Sequence, residues 1–267
     1  MIRYYAKLLI NNTPYMEILS LMVVLGLLFT GMTLSDGAFQ ASQLPDTLYL
    51  PFFFNPLQGT LLFMFQFALA LLMAIPYGKL SSIERRVMPL LLSRHKRRTL
   101  LLSRSIVVFL SCALLLIACE GSSLLCAGIS VGHTDFHSYA SYIVPSNDYL
   151  IQITTPFAMM VYNQPSQATL FYMTYSAIIF GLLGLFTYHL GKLVAQVRLT
   201  YIFAFLFLLI NFLFTNDFMS LADVMHPFTY SGESLLKNVP FLMVIYFILL
   251  LGGSLIVYFK SYHSITP

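Results

Sequence analysis

The sequence predicts an all-α, polytopic membrane protein with six transmembrane helices, preceded by a short helix lying in the membrane interface. Three observations predict it. Of 267 residues, 58% are hydrophobic and only 9% are charged, whereas a soluble domain carries about 25% charged residues. The apolar residues fall in unbroken runs near the ~20 residues that cross a bilayer as a helix, not in the alternating segments of a β-barrel. Lysine and arginine segregate to one side of those runs. The same composition, with 24 Phe and 17 Tyr, excludes a disordered chain.

The chain reads as one transmembrane domain over 1–267. Its spans are approximately Tyr15–Leu34, Leu57–Gly78, Ser105–Val131, Gln167–Leu190, Leu199–Phe218 and Val239–Phe259. The first is too long for a cleavable signal core and lacks a small-x-small site after it, so it reads as retained. Arg3 and Lys7 precede the first run. Lys79, Arg85, Arg86, Arg94, Lys96, Arg97, Arg98 and Arg104 lie between the second and third, Lys192 and Arg198 between the fourth and fifth, and Lys260 after the sixth. Of the 14 basic residues only Lys237 falls on the other side, together with Asp36, Asp46, Asp135, Asp148, Asp217, Asp223 and Glu233. The positive-inside rule then puts both termini in the cytoplasm. Orientation and attraction to anionic lipid account for the basic excess, so it does not call for a nucleic-acid partner.

Ahead of the first span, Ile2, Tyr5, Ala6 and Leu9 share one helical face and Arg3 and Lys7 another, the pattern of an interfacial helix. Thr13 as N-cap and Pro14 at the first helical position start the next helix. Glu17 follows, where the helix dipole favours an anion. The sequon Asn11-Asn12-Thr13 falls on the cytoplasmic side and is read as chance.

The loop Lys79–Arg104 is the most informative segment. Ser81 and Glu84 form a capping box. Ile83, Val87, Leu90 and Leu91 keep helical spacing, while Arg85 and Arg86 turn away. Pro89 disfavours a continuous helix through Met88. This predicts a short helix, a kink and a second short piece leading to His95-Lys96-Arg97-Arg98. Scattered charge suffices for a topology anchor; a capped amphipathic helix offers a shaped surface for a cytoplasmic partner. On the outside, Gly132–Ser166 is long for a structureless loop, and Asp148–Tyr162 is apolar enough to lie on the membrane. Met219–Met225, ending at His226-Pro227, has the character of a segment that dips back into the protein.

Motifs for chemistry are few. Gly78-Lys79-Leu80 and Gly191-Lys192-Leu193 lack the remainder of a P-loop, and neither HExxH nor GxSxG occurs. The chain therefore reads as a non-enzyme with no cofactor or metal of its own. His133 and His137 flank Asp135 in a loop and read as solvated. Cys112, Cys119 and Cys126 share one face of the third span, but Ala118 and Ser122 stack beside them, and a small-residue face reads as close helix packing. Glu120 is the one acid well inside a span. It lies 16 residues beyond Arg104, about 24 Å along a helix. Such a residue faces protein or a water-filled cavity: either a pathway or substrate-contact residue, or a carboxyl that locks two helices. Gln66 and Asn211, mid-span, are weaker pathway candidates whose default is interhelical hydrogen bonding.

Ile83-Glu84-Arg85-Arg86, Leu90-Leu91-Leu92-Ser93-Arg94 and Leu102-Ser103-Arg104 form a Glu-containing, Leu-rich, Arg-containing stretch ending just before the third span. With the six-span layout, this resembles the ABC-2 type permease family, the membrane subunits of bacterial ABC exporters. Val87-Met88-Pro89 stands where that family often has Gly-Thr/Ser. Size and modest loops look most like the permeases of Gram-positive peptide and bacteriocin-type exporters. The resemblance implies a cytoplasmic coupling helix between spans two and three and a re-entrant segment between spans five and six. It also implies a second six-span copy or paralogue, and a separate ATP-binding subunit that holds ATP and magnesium. Ser81, Ile83, Glu84, Arg85, Arg86, Val87, Leu90, Leu91 and Arg94 would then couple to that ATPase. The cargo expected is amphiphilic (a hydrophobic peptide, lipid or drug) and the location a bacterial plasma membrane. The alternative is a stand-alone proton- or ion-coupled carrier using Glu120.

Overall fold

The computed structural model describes residues 1–35, 72, 76–77, 91, 93, 96–131, 160, 164–193, 206–207, 209–210 and 239–264. These are almost entirely helical. Five continuous helices are defined: α1 (Ile2–Ile10), α2 (Thr13–Ser35), α3 (Arg97–Val131), α4 (Pro165–Leu193) and α5 (Val239–Ser264). α3, α4 and α5 are each long and apolar enough to cross a membrane. The bent pair α1–α2 passes the same test when taken together, with 71° between its halves. The expected spans 57–78 and 199–218 lie mostly outside the described residues, as does the segment 219–225.

α1 buries Tyr5 and Leu9, one turn apart, against the bundle and leaves Ile2, Tyr4 and Ile10 exposed. Lys7 sits in its last turn, where a cation suits the helix dipole. The amide of Asn12 bonds the Leu9 carbonyl at 2.9 Å, and its side-chain Nδ2 donates to the Pro76 carbonyl at 3.1 Å. This ties the bend to the segment at 76. The sequence places the α2 cap at Thr13; the structure places it one residue earlier. Pro14 has no N–H, so the first donors of the helix are Tyr15 and Met16, and both reach the Asn12 carbonyl, at 2.9 and 3.3 Å. Glu17 is exposed just beyond the first turn of α2.

α3 is the organising element, packing against α1, α2 and α4, with α4 packing on α5. Its 35 residues span about 52 Å, well over the ~30 Å of a hydrocarbon core. It starts at Arg97, eight residues before the apolar run, with the Lys96 carbonyl accepting from Thr99 and Leu100. Its inward stripe is Leu100, Arg104, Val107, Val108, Ser111, Cys112, Leu115 and Cys119, the spacing of one helical face. α4 opens with Gln164 accepting from Gln167 and Ala168, both at 3.0 Å, and Pro165 at the first position, where a missing N–H costs nothing. α5 turns Met243, Tyr246, Leu250, Ser254 and Val257 inward and leaves Phe241, Ile248, Leu249, Ile256 and Phe259 exposed.

The distribution of polarity is inverted relative to a water-soluble bundle. Large apolar side chains cover the outside of α2, α3 and α5, while Thr30, Arg104, Ser111, Glu120, Ser123, Thr187, His189 and Ser254 are buried. Apolar surface of that extent is stable against lipid, not water.

Close helix approach is set by glycine. A Cβ on Gly26 of α2 would collide with the Ser122 Oγ and the Cys119 carbonyl of α3; one on Gly184 of α4 would collide with Cys112 Sγ. A Cβ on Gly181 of α4 would come within 2.8 Å of the Phe109 ring of α3. The cysteine face of α3 is thus a packing face at Cys112 and Cys119, each meeting a glycine of a neighbouring helix.

Candidate functional site

Two groups of buried polar side chains lie along α3. At its N-terminal end Arg104 is 1% exposed, with its guanidinium carbon 5.3 Å from the centroid of Tyr188 on α4, a cation–π distance. The next residue of each helix pairs as well. Ser105 Oγ lies 2.9 Å from the Leu101 carbonyl and 3.0 Å from His189 Nε2. With the Ser105 proton on that carbonyl, His189 Nε2–H is the donor. The His189 ring meets Tyr258 of α5 edge-on at 5.6 Å, and Tyr188 meets Tyr77 at 6.2 Å. About two helical turns deeper, the Tyr77 hydroxyl bonds Ser111 Oγ at 2.6 Å, and Ser111 Oγ donates to the Val108 carbonyl at 2.9 Å. One connected polar seam therefore joins α3, α4, α5 and the segment at 76–77.

Tyr77→Phe should cost about 1 kcal/mol, read as a lower thermal midpoint in detergent. Ser111→Ala should cost a similar amount, and the double variant should lose little more than either. Strict additivity would show that the two hydroxyls do not act as a pair.

Toward the other end of α3, Glu120 is 2% exposed, and its Oε2 has no hydrogen-bond partner among the described residues. The hydroxyls around it are used in helix contacts. Thr30 Oγ1 of α2 bonds Ser123 Oγ at 2.6 Å and the Gly26 carbonyl at 2.8 Å. Ser122 Oγ lies 3.1 Å from the Val23 carbonyl and 2.9 Å from that of Cys119. Among the described residues no three His, Cys, Asp or Glu side chains come together as a metal site.

Of the residues singled out from sequence, Leu91 is helical and buried, and belongs to the main apolar cluster. Ser81, Ile83, Glu84, Arg85, Arg86, Val87, Leu90 and Arg94 lie outside the described residues, as do Gln66 and Asn211. Sequence reasoning missed the Arg104–Tyr188–His189 seam. It treated Arg104 as a loop cation, although Arg104 stands four residues from both Leu100 and Val108 on the inward stripe, and helical spacing alone marks it as buried.

Compared with known protein families, curated proteins and solved structures, the chain matches none.

Proposed function

We propose that this chain is the membrane permease subunit of an ATP-binding-cassette exporter, with six spans, both termini cytoplasmic and a place in a bacterial plasma membrane. It moves an amphiphilic substrate and takes its energy from a separate ATPase subunit that holds ATP and magnesium. It works as a pair with a second copy or a paralogue. The carrying observation is that α3, 35 residues long, begins at Arg97, directly after the stretch Ser81–Arg94 in which the sequence puts the basic, capped segment. A helix is stiff along its axis, so displacement of the residues before it moves the whole of α3. Through its contacts with α1, α2 and α4, α3 passes that displacement to the bundle. The residue pattern around Glu84, Leu90-Leu91 and Arg104 supports the same reading by its resemblance to the ABC-2 permeases.

The test is copurification of the chain with the products of its neighbouring genes, in which an ATPase should appear. Charge reversal at Glu84→Lys with Arg85→Glu should remove the ATPase from the complex while leaving the permease folded. Undiminished copurification, or transport by this chain alone in liposomes without ATP, would sink the proposal. The second outcome would favour a stand-alone carrier, a reading that rests on the buried carboxyl of Glu120.

A further inference from the structure

A groove of about 410 Å³ runs between α3, α4 and α5. Its floor includes Leu182 and Leu185 of α4, and its walls include Leu102 of α3 and Leu255 of α5. Leu102, Leu251 and Leu255 are exposed, so one long side is open to the surroundings of the bundle. Ser105, His189 and Tyr258 line one end, but Ser105 and His189 are buried and bond each other, so the surface offered there is apolar too. Ser254, the other polar residue of the lining, is buried within 3.4 Å of the Leu182 carbonyl. The groove is therefore apolar along its whole length, a fit for a hydrocarbon chain.

Two further observations fix the occupant. The lining runs from Ile178 to His189 on α4 and from Phe247 to Tyr258 on α5, about 16 Å on each. That is close to one leaflet of a hydrocarbon core ~30 Å thick. The end lined by Ser105, His189 and Tyr258 is the basic end of all three helices. Arg98, exposed, stands four residues before Leu102 on the same face of α3. Lys192 stands three residues beyond His189 on α4, and Lys260 two beyond Tyr258 on α5.

We propose that this groove seats one acyl chain of an anionic diacyl phospholipid, with the phosphate beyond its basic end beside Arg98. It rests on α3–α5 being membrane spans, not on the transport reading.

The chain contains no tryptophan, so a single introduced one reports locally. Phe247 lines the groove, and its neighbour Ile248 faces outward at the same depth, 58% exposed. Phe247→Trp and Ile248→Trp would each be reconstituted in phosphatidylcholine vesicles and quenched with brominated phosphatidylglycerol or brominated phosphatidylcholine. Each basic residue near an anionic headgroup is worth roughly fivefold in binding. The Phe247→Trp variant should therefore show a preference for phosphatidylglycerol of about fivefold or more over the Ile248→Trp variant. Arg98→Ala should abolish the difference. Equal ratios at both positions overturn the site. Quenching of the Ile248→Trp variant only, by both lipids, also overturns it, because protein then covers the groove. No quenching at Ile248→Trp removes the membrane reading of α5 itself. The unmodified chain gives an independent reading. Its thermal midpoint in mixed micelles should rise with phosphatidylglycerol and not with phosphatidylcholine of the same chains. Identical midpoints overturn the proposal.

Discussion

Gly26→Ala should destabilise the bundle by about 1–3 kcal/mol, the range for forcing extra carbon into a packed contact, and Gly26→Leu should cost more. The direction is opposite to helix propensity, which favours alanine over glycine by ~1 kcal/mol. The reason is the neighbour. The added carbon would collide with the Cys119 carbonyl of α3 as well as the Ser122 hydroxyl, and a carbonyl in the middle of a helix does not rotate away. To make room α2 must retreat from α3, which lengthens the Thr30–Ser123 contact of 2.6 Å and the Ser122–Val23 contact of 3.1 Å. Gly31, on the same helix, has no described atom within 4 Å of its would-be Cβ, so Gly31→Ala should be neutral or gain the propensity term. Unfolding midpoints in the same detergent measure both, and a Gly26→Ala protein as stable as the parent would show that α2 and α3 are further apart than described. At Gly184 the obstacle is mainly the thiol of Cys112, a side chain that Cys112→Ala removes. Gly184→Ala should accordingly be milder, and the double variant partly rescued.

These contacts mark where the sequence stops being legible. The membrane class, the broken N-terminal helix and three of the helices follow from charge scarcity and run length. Gln167–Leu190 and Val239–Phe259 correspond to Pro165–Leu193 and Val239–Ser264, because hydropathy reports the part of a helix that lipid touches. The start of α3 was not legible for the same reason. From Arg97 to Arg104 the helix carries charge, hydropathy falls, and only the spacing of Leu100, Arg104 and Val108 reveals that it continues. The small face of Cys112 and Cys119 was legible as a packing face. Which glycines it meets was not, because Gly26 and Gly184 come from distant parts of the chain. The polar seam was hidden by the same long range, since His189 is paired with Ser105, 84 residues away. Glu120 stood out because a carboxyl inside an apolar run is rare, whatever it touches.

Glu120→Leu separates the two roles of that carboxyl. The side chain is almost wholly buried, and one of its oxygens lacks a hydrogen-bond partner among the described residues. Burying a polar group without a partner costs about 1–3 kcal/mol by mutational measures. If Glu120 served only to hold helices together, that cost would be offset by bonds to its neighbours. Yet the nearby hydroxyls of Thr30, Ser122 and Ser123 bond to one another and to backbone carbonyls. Leucine is close in size and satisfies an apolar site, so Glu120→Leu should raise the unfolding midpoint; on the proposed exporter role, it should also remove most transport. Glu120→Gln, which keeps the shape and the hydrogen-bonding capacity but not the acid, should also impair transport without unfolding the complex. A residue that lowers stability where it stands, and whose loss removes activity, is retained for what it does to the substrate or the transport cycle. The opposite pattern decides the matter the other way: if Glu120→Leu lowers the midpoint and Glu120→Gln restores both stability and transport, the carboxyl is a helix lock and no part of the pathway.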